Sequence, residues 1–341
     1  MRIFAQAGPL RAEISNIAAD KSISHRAAIF SLLAEGTSKI SNYLAAEDTL
    51  NTLKIVELLG ACVQRDASEI LITPPEVIKE PNVPLDCGNS GTAMRLFMGF
   101  LAGREGFFVL CGDRYLSERP MRRVADPLCK VGAKIYGRQG GEKAPIAVLG
   151  QKLGYFEYAS KIASAQVKTA LILAALRGSG CRFSEPELSR DHSERMLRGF
   201  GVEIGKEGAT HAIRGGQRLS ACEVVVPGDV SSAAFFMVAA LIAREGELLL
   251  ENVGMNPTRA AVVEILRAMG GDIAVLNARE AGGEPVADLR VRPSRLHGIA
   301  IDEALVPIAI DEFPILFIAA ACAEGETRAT ALHELRVKES D

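Results

Sequence analysis

With 341 residues, 48% of them hydrophobic, the chain can fill more than one core and reads as two domains. Its 39 basic and 42 acidic side chains leave a net charge of -3, which excludes a general pull toward nucleic acid or a membrane surface, so any anion site must be local. No stretch reaches eighteen apolar residues, the start MRIFAQAGPLRAEI lacks a basic region followed by an apolar run, and the seven cysteines form no C-x-x-C pair; neither a membrane span nor a secreted protein nor a zinc or redox cysteine site is expected, and reduced thiols in a cytosol are.

Taken in chain order, the sequence repeats itself. Asp20 to Gly36 starts with a polar cap, runs through an apolar helix with Ile23, Ala27, Phe30 and Ala34 on one face, and turns at glycine into a short strand. A second kind of helical segment follows and ends in Gly-x-x-Val at Gly60 to Val63. The pair returns as Asn89 to Gly106 with Gly132 to Ile135, as Ser164 to Gly180 with Gly201 to Ile204, and as Asp229 to Gly246 with Gly270 to Ile273. A fifth first-type segment, Asp311 to Gly325, breaks off inside its second segment, LRVKESD. Each unit of roughly 70 residues reads as strand, helix, strand, helix and further strands, too long for a solenoid repeat and suited to a folding unit of a larger domain. Met121, Val124, Leu128 and Val131 form the apolar face of one second-type helix; Arg119-Pro120 and Asn256-Pro257 mark expected helix starts. A domain boundary falls at Val226-Pro227, before the fourth unit.

Four predicted helix starts carry cations and hydroxyls: Lys21 to Arg26, Asn89 to Arg95, Ser117 to Arg122, and Ser189 to Ser193. Free backbone N–H groups and the positive end of the helix dipole attract phosphate or carboxylate there, and a lysine or arginine adds a full charge. One dipole is worth only about 0.3–1 kcal/mol, so several must converge to hold a polyanion. Taken singly, each arginine reads first as a solvated or salt-bridged side chain, and Gly91 could merely relieve crowding between helices; recurrence at equivalent points of successive repeats favours a shared site. Asp311 and Glu312 sit where a helix N-terminus favours carboxylates, a placement that capping explains as well as catalysis does. Cys111, in FFVLCGD, reads as a buried structural thiol.

The motifs DKSISHR at 20–26, GNSGTAMR at 88–95, SERP at 117–120, SAQ at 164–166, RDHSERM at 190–196, PGDVSSAAF at 227–235, NPTR at 256–259, IDEFP at 310–314 and RVKESD at 336–341 resemble EPSP synthase from end to end. The resemblance implies an α/β, two-lobed enolpyruvyltransferase fold, an inside-out α/β barrel of repeated βαβαββ units, with the last one and a half units missing. It sets the upper lobe at 20–226 and the incomplete lower lobe at 1–19 plus 227–341, with the active site in the cleft between them. It further implies a cytoplasmic monomer in the shikimate pathway, joining phosphoenolpyruvate to shikimate 3-phosphate without metal or cofactor.

Carried over position by position, the resemblance gives shikimate 3-phosphate to Lys21, Ser22, Arg26, Ser164, Ala165, Gln166, Arg190, Asp311 and Lys338, with Ser164, Ala165 and Arg190 near its phosphate. Phosphoenolpyruvate falls to Lys21, Gly91, Arg119, Gln166 and Glu339. Asp311 corresponds to the acid that accepts the 5-hydroxyl proton, and Lys21 with Glu339 to the groups that protonate the enolpyruvyl methylene carbon. Ala165 stands where many relatives have a second serine; RDHSERM and NPTR resemble the branch with glyphosate-tolerant members, while Gly91 is the ordinary glycine. Two other readings compete. UDP-N-acetylglucosamine enolpyruvyltransferase would show Lys-Asn where this chain has Lys21-Ser22. A truncated, inactive half-site binder of shikimate 3-phosphate would lack the family's two later arginines and lysine.

Overall fold

The structure is a computed structural model that describes residues 8–66, 68–333 and 335. The chain divides into two compact units, one of residues 21–226 and one formed by residues up to Asp20 together with those from Pro227 onward; they are called here the central and the terminal unit. Asp20, which the sequence reading put with 21–226, goes with the terminal unit: its N–H donates to Pro227 O at 2.8 Å and its carboxylate faces Arg259 at 3.8 Å.

Among the described residues, the central unit holds three four-stranded sheets with one strand order. In the second of them, Leu85–Asp86 pairs in parallel with Gly106–Cys111, which pairs antiparallel with Lys143–Gly150, itself antiparallel to Lys134–Gly137. The third sheet repeats this with Phe156–Ala159, Gly180–Ser184, Thr210–Arg214 and Ile204–Glu207. In the first, Ser38–Ser41, Glu69–Thr73 and Cys62–Arg65 follow the same pattern, but the parallel edge strand is Glu223–Val225, from the far end of the unit. The strand ahead of the first helix, Leu10–Ile14, is the parallel edge of the terminal unit's sheet, beside Gly246–Gly254, Glu284–Arg292 and Asp272–Ala281. The chain thus crosses between units twice, and a strand from elsewhere completes the sheet on each side.

The turn glycines that mark the repeats all have positive φ, from +83° at Gly201 to +136° at Gly106, a region closed to most L-residues. At Gly246 a side chain is doubly barred, because a Cβ there would lie 2.0 Å from Leu10 O.

Two helices, Gly91–Ala102 and Ala165–Leu176, are the packing centre of the central unit, each buried at ten of its twelve positions. They approach backbone to backbone: a Cβ at Gly99 would lie 2.2 Å from Ala170 O, and one at Gly103 2.4 Å from Ala174 O. Burying Leu171, Ile172, Leu173 or Leu176 is worth about 1.5–3 kcal/mol each, several times a helix-end charge effect. Packing therefore fixes where these helices lie, and their N-termini are left to interact with something else.

Two expected helix starts shift. Regular helix begins at Arg122, after a short 3-10 turn Leu116–Glu118 that ends on Arg119, so Pro120 precedes the helix instead of opening it. Asn256 does cap a turn, its Oδ1 accepting from Thr258 N at 2.9 Å, but the α-helix begins only at Ala261. Pro257 lies inside the turn ahead of its helix, whereas Pro120 follows its turn and separates it from the helix. Cys111 is half-buried, not buried, because it ends its strand beside the two-residue edge strand Leu85–Asp86; burial and the nearby Asp86 raise its pKa, so the thiol stays protonated.

Candidate active site

Side-chain hydrogen bonds stitch together the first turns of the central unit's helices. His25, buried, contacts Thr52 Oγ1 through Nδ1 at 2.7 Å and Ser90 Oγ through Nε2 at 3.3 Å. Ser90 is the N-cap of Gly91–Ala102, accepting from Ala93 N. Arg26, also buried, donates from Nε to Ser193 Oγ at 2.7 Å, from one terminal nitrogen to Ser22 O at 3.0 Å and from the other to Thr169 Oγ1 at 3.2 Å. It thereby joins the helices Lys21–Ser31, Ala165–Leu176 and His192–Gly199. Gln166 links two more first turns: its Oε1 accepts from Arg95 at 2.8 Å and its Nε2 donates to Thr92 Oγ1 at 3.1 Å. Ser164 caps its own helix, with Oγ accepting from Val167 N. The starts of the first-type helices of all three repeats are held side by side, and their dipoles add at one place.

Cations gather there too. Arg119 donates to Asn89 Oδ1 at 2.8 Å, and Asn89 in turn donates to Asp113 at 2.7 Å. Arg95 donates to Pro120 O at 3.0 Å as well as to Gln166. Its pKa falls to about 10, through burial first and then the like charges of Arg123 and Arg119. A partly buried guanidinium beside two others would be favoured by an anion bound near it. Gly91 lies between: a Cβ there would stand 3.5 Å from a terminal nitrogen of Arg119 and the same from one of Arg95, an ordinary contact. Crowding between helices does not require glycine at this position, in contrast with Gly99. Lys21 is half exposed and faces Asp48 at 3.3 Å.

A family model described as EPSP synthase (3-phosphoshikimate 1-carboxyvinyltransferase) matches residues 4–341. The chain belongs to the EPSP synthase family. A 3-phosphoshikimate 1-carboxyvinyltransferase of Campylobacter hominis is 52% identical over 342 residues, covering 100% of this chain and 80% of the relative; one of Nitratiruptor is 54% identical over 339 residues, covering 96% and 77%. A solved EPSP synthase of Acinetobacter baumannii superposes with a TM-score of 0.91 at 45% identity, covering 98% of this chain and 76% of that one. The fold is accordingly the α/β enolpyruvyltransferase fold, and the family is one of transferases.

Of the residues expected at the site, Lys21, Ser22, Arg26, Gly91, Arg119, Ser164, Ala165, Gln166 and Arg190 all belong to the central unit. Arg190 is half-buried just ahead of the helix His192–Gly199, whose N-cap is Asp191. Asp311 belongs to the terminal unit, half-buried two residues before the helix Phe313–Ala321. Lys338 and Glu339 lie outside the described residues.

Beside Asp311 the terminal unit carries a cluster that the sequence did not reveal. Arg259, 4% exposed, reaches Asp229 at 3.2 Å, Glu312 at 3.7 Å and Asp20 at 3.8 Å, and donates to Ser231 Oγ at 2.6 Å. Ser231 also donates to Glu312. Burial opposes the guanidinium's charge, but Asp20, Asp229, Glu312 and Asp311 outweigh it and raise its pKa. Ser193, Thr169 and Arg95 were likewise unassigned. They stand within the quoted motifs or beside them, yet only contacts across repeats give them a task.

Proposed function

We propose that this chain transfers the enolpyruvyl group of phosphoenolpyruvate to the 5-hydroxyl of shikimate 3-phosphate, releasing inorganic phosphate. The observation that carries the reading is the convergence of three first-type helix starts with Arg95 and Arg119 around Gly91, in a chain of the EPSP synthase family. Two polyanionic substrates need such a concentration of N–H groups and cations, because no single helix end binds a phosphate strongly.

In this proposal Ser22, Arg26, Ser164, Ala165, Gln166, Arg190 and Lys338 hold shikimate 3-phosphate, its phosphate resting against Ser164, the Ala165 N–H and Arg190. Gly91 leaves room for phosphoenolpyruvate beside Arg119, with Gln166, Lys21 and Glu339 as further ligands. Asp311 takes the proton of the 5-hydroxyl as the oxygen attacks C2, and Lys21 with Glu339 delivers a proton to C3. The tetrahedral intermediate then loses that C3 proton, the C2–O bond to phosphate breaks, and the double bond reforms. General acid and base groups of this kind contribute about 10²–10⁴ in rate, and alignment of the two substrates adds more. We further place the chain in the cytoplasm as a monomer; none of its described helices is long and apolar enough to cross a membrane.

The test is phosphate release with each substrate alone and with both, beside calorimetric titration of shikimate 3-phosphate into the Arg190→Ala variant. Release only with both substrates is expected. A charge-assisted hydrogen bond of about 1.5–3 kcal/mol corresponds to roughly 10–150-fold weaker binding on its loss. Release without shikimate 3-phosphate, or unchanged affinity in the variant, contradicts the assignment.

A further inference from the structure

Lys168 is fully buried one turn into the helix Ala165–Leu176, and no step of the proposed reaction uses it. Its ammonium lies 2.9 Å from Glu185 Oε1 and 2.8 Å from Glu194 Oε1, both carboxylates also buried, and donates to Ser189 O at 3.4 Å. Glu185 Oε1 accepts in addition from Ser189 N at 3.0 Å and Ser189 Oγ at 2.9 Å. The residue between the two anchors of this bond set and the helix His192–Gly199 is Arg190, followed by Asp191. Ser189 is therefore gripped at its N–H, its carbonyl and its hydroxyl by one buried ion pair, although residues 186–188 ahead of it are exposed.

A buried ion pair adds little stability over a well-packed apolar pair, because desolvation cancels most of the attraction. What it supplies is fixed geometry, since both charges must keep their partners. Here the fixed distance runs between the first turn of Ala165–Leu176 and the residue ahead of Arg190. Those are the two elements assigned above to the phosphate of shikimate 3-phosphate.

We propose that Lys168, through Glu185 and Ser189, is a positioning residue for Arg190, setting the guanidinium at the spacing from Ser164 and Ala165 that a phosphate dianion requires. The proposal rests on the assignment of Arg190 above. Lys168 touches no substrate; it acts on affinity for shikimate 3-phosphate by fixing where Arg190 starts.

The test is a double-mutant cycle on the full chain, read by calorimetric titration of shikimate 3-phosphate and by melting temperature. Lys168→Met is expected to weaken binding about tenfold in the parent and less than twofold in an Arg190→Ala background, because the residue it acts through is already gone. An equal loss in both backgrounds makes Lys168 a general structural ion and overturns the inference while leaving Arg190 its role. Unchanged affinity of Arg190→Ala alone removes the assignment beneath it, and the inference falls with it. Should Lys168→Met fail to fold, Ser189→Ala keeps the cycle open: it deletes one half-buried hydroxyl bond and spares the ion pair. A loss of about threefold that vanishes in the Arg190→Ala background supports the inference; a loss unchanged there, or no loss, refutes it.

Discussion

Arg259→Met tests whether the terminal unit depends on one guanidinium to hold its buried carboxylates. The side chain keeps its length and apolar stem, while Asp20, Asp229 and Glu312, all within 4 Å of it, lose their common cation. Each such contact is worth roughly 4 kcal/mol at an effective dielectric of 20 before desolvation. Since desolvation of every partner opposes that gain, the net loss is better taken from broken buried pairs, about 3–5 kcal/mol. For a unit of this size that corresponds to roughly 6–20 °C in melting temperature. The sign with pH separates this from loss of packing. The carboxylates that raise Arg259 are themselves favoured as anions by it. Without it the neighbouring buried carboxylates repel one another, and protonation as pH falls relieves that repulsion, so the loss of stability grows as pH rises. The deficit is expected to be largest near pH 8 and to shrink toward the ordinary carboxylate range near 4. Scanning calorimetry of parent and variant across that range is the assay. A deficit equal at pH 8 and pH 5 would refute the electrostatic argument, and a variant as stable as the parent at pH 8 would remove the cluster's dependence on Arg259.

Three other outcomes are expected. Asp311→Ala should reduce turnover by about 10²–10⁴ while shikimate 3-phosphate binding stays within about tenfold, since proton acceptance belongs to the reaction step; steady-state kinetics beside direct titration decides it, and unchanged kcat removes Asp311 from the mechanism. Arg95→Gln should leave the melting temperature unchanged or higher yet raise KM for phosphoenolpyruvate at least tenfold, because the charge lost is one that burial, Arg123 and Arg119 already oppose; a lower melting temperature with unchanged KM would make Arg95 an ordinary structural cation. His211, buried in the strand Thr210–Arg214, has its pKa lowered by burial against the pull of Glu194. The unfolded chain then takes its proton first, so stability is complete above about pH 6.5 and lost as pH falls; urea denaturation from pH 8 to 5 should show His211→Gln losing less than the parent, and parallel curves would exclude the effect.

The repeat was legible because its punctuation is conformational. Glycines from Gly36 to Gly325 recur where the chain must turn with positive φ, and no other residue fills such positions cheaply. Ile23, Ala27 and Phe30 are buried on one helix face as their spacing predicts, whereas Ala34, expected on the same face, lies past the helix end in the strand Ala34–Glu35. The fold class and the family followed from motifs kept in order along the chain. Strand exchange was not legible in the residues. Leu10–Ile14 and Glu223–Val225 are both short strands ahead of a unit, and only pairing with Gly246–Gly254 and Ser38–Ser41 shows which sheet each completes.

At the site, what could be read was charge at helix starts; what could not was the work of charges placed in the interior. Lys21, Arg119 and Arg190 announce themselves beside polar residues, whereas Lys168 stands in the apolar run AQVKTALILAAL, where a buried lysine is legible only once Glu185 and Glu194 are known to face it. Arg259 and Asp20 are more than two hundred residues apart in the chain and meet because the terminal unit is assembled from both chain segments. Such groups share a cause: each finds its partners on other elements, within its own repeat for Lys168 and partly on other repeats for Arg259, and a linear spacing rule sees only one element at a time. Their consequence is also shared. Buried Arg259 and Lys168 fix the elements that carry the proposed ligands, so changes at these two positions should alter affinity and turnover without removing a single proposed ligand.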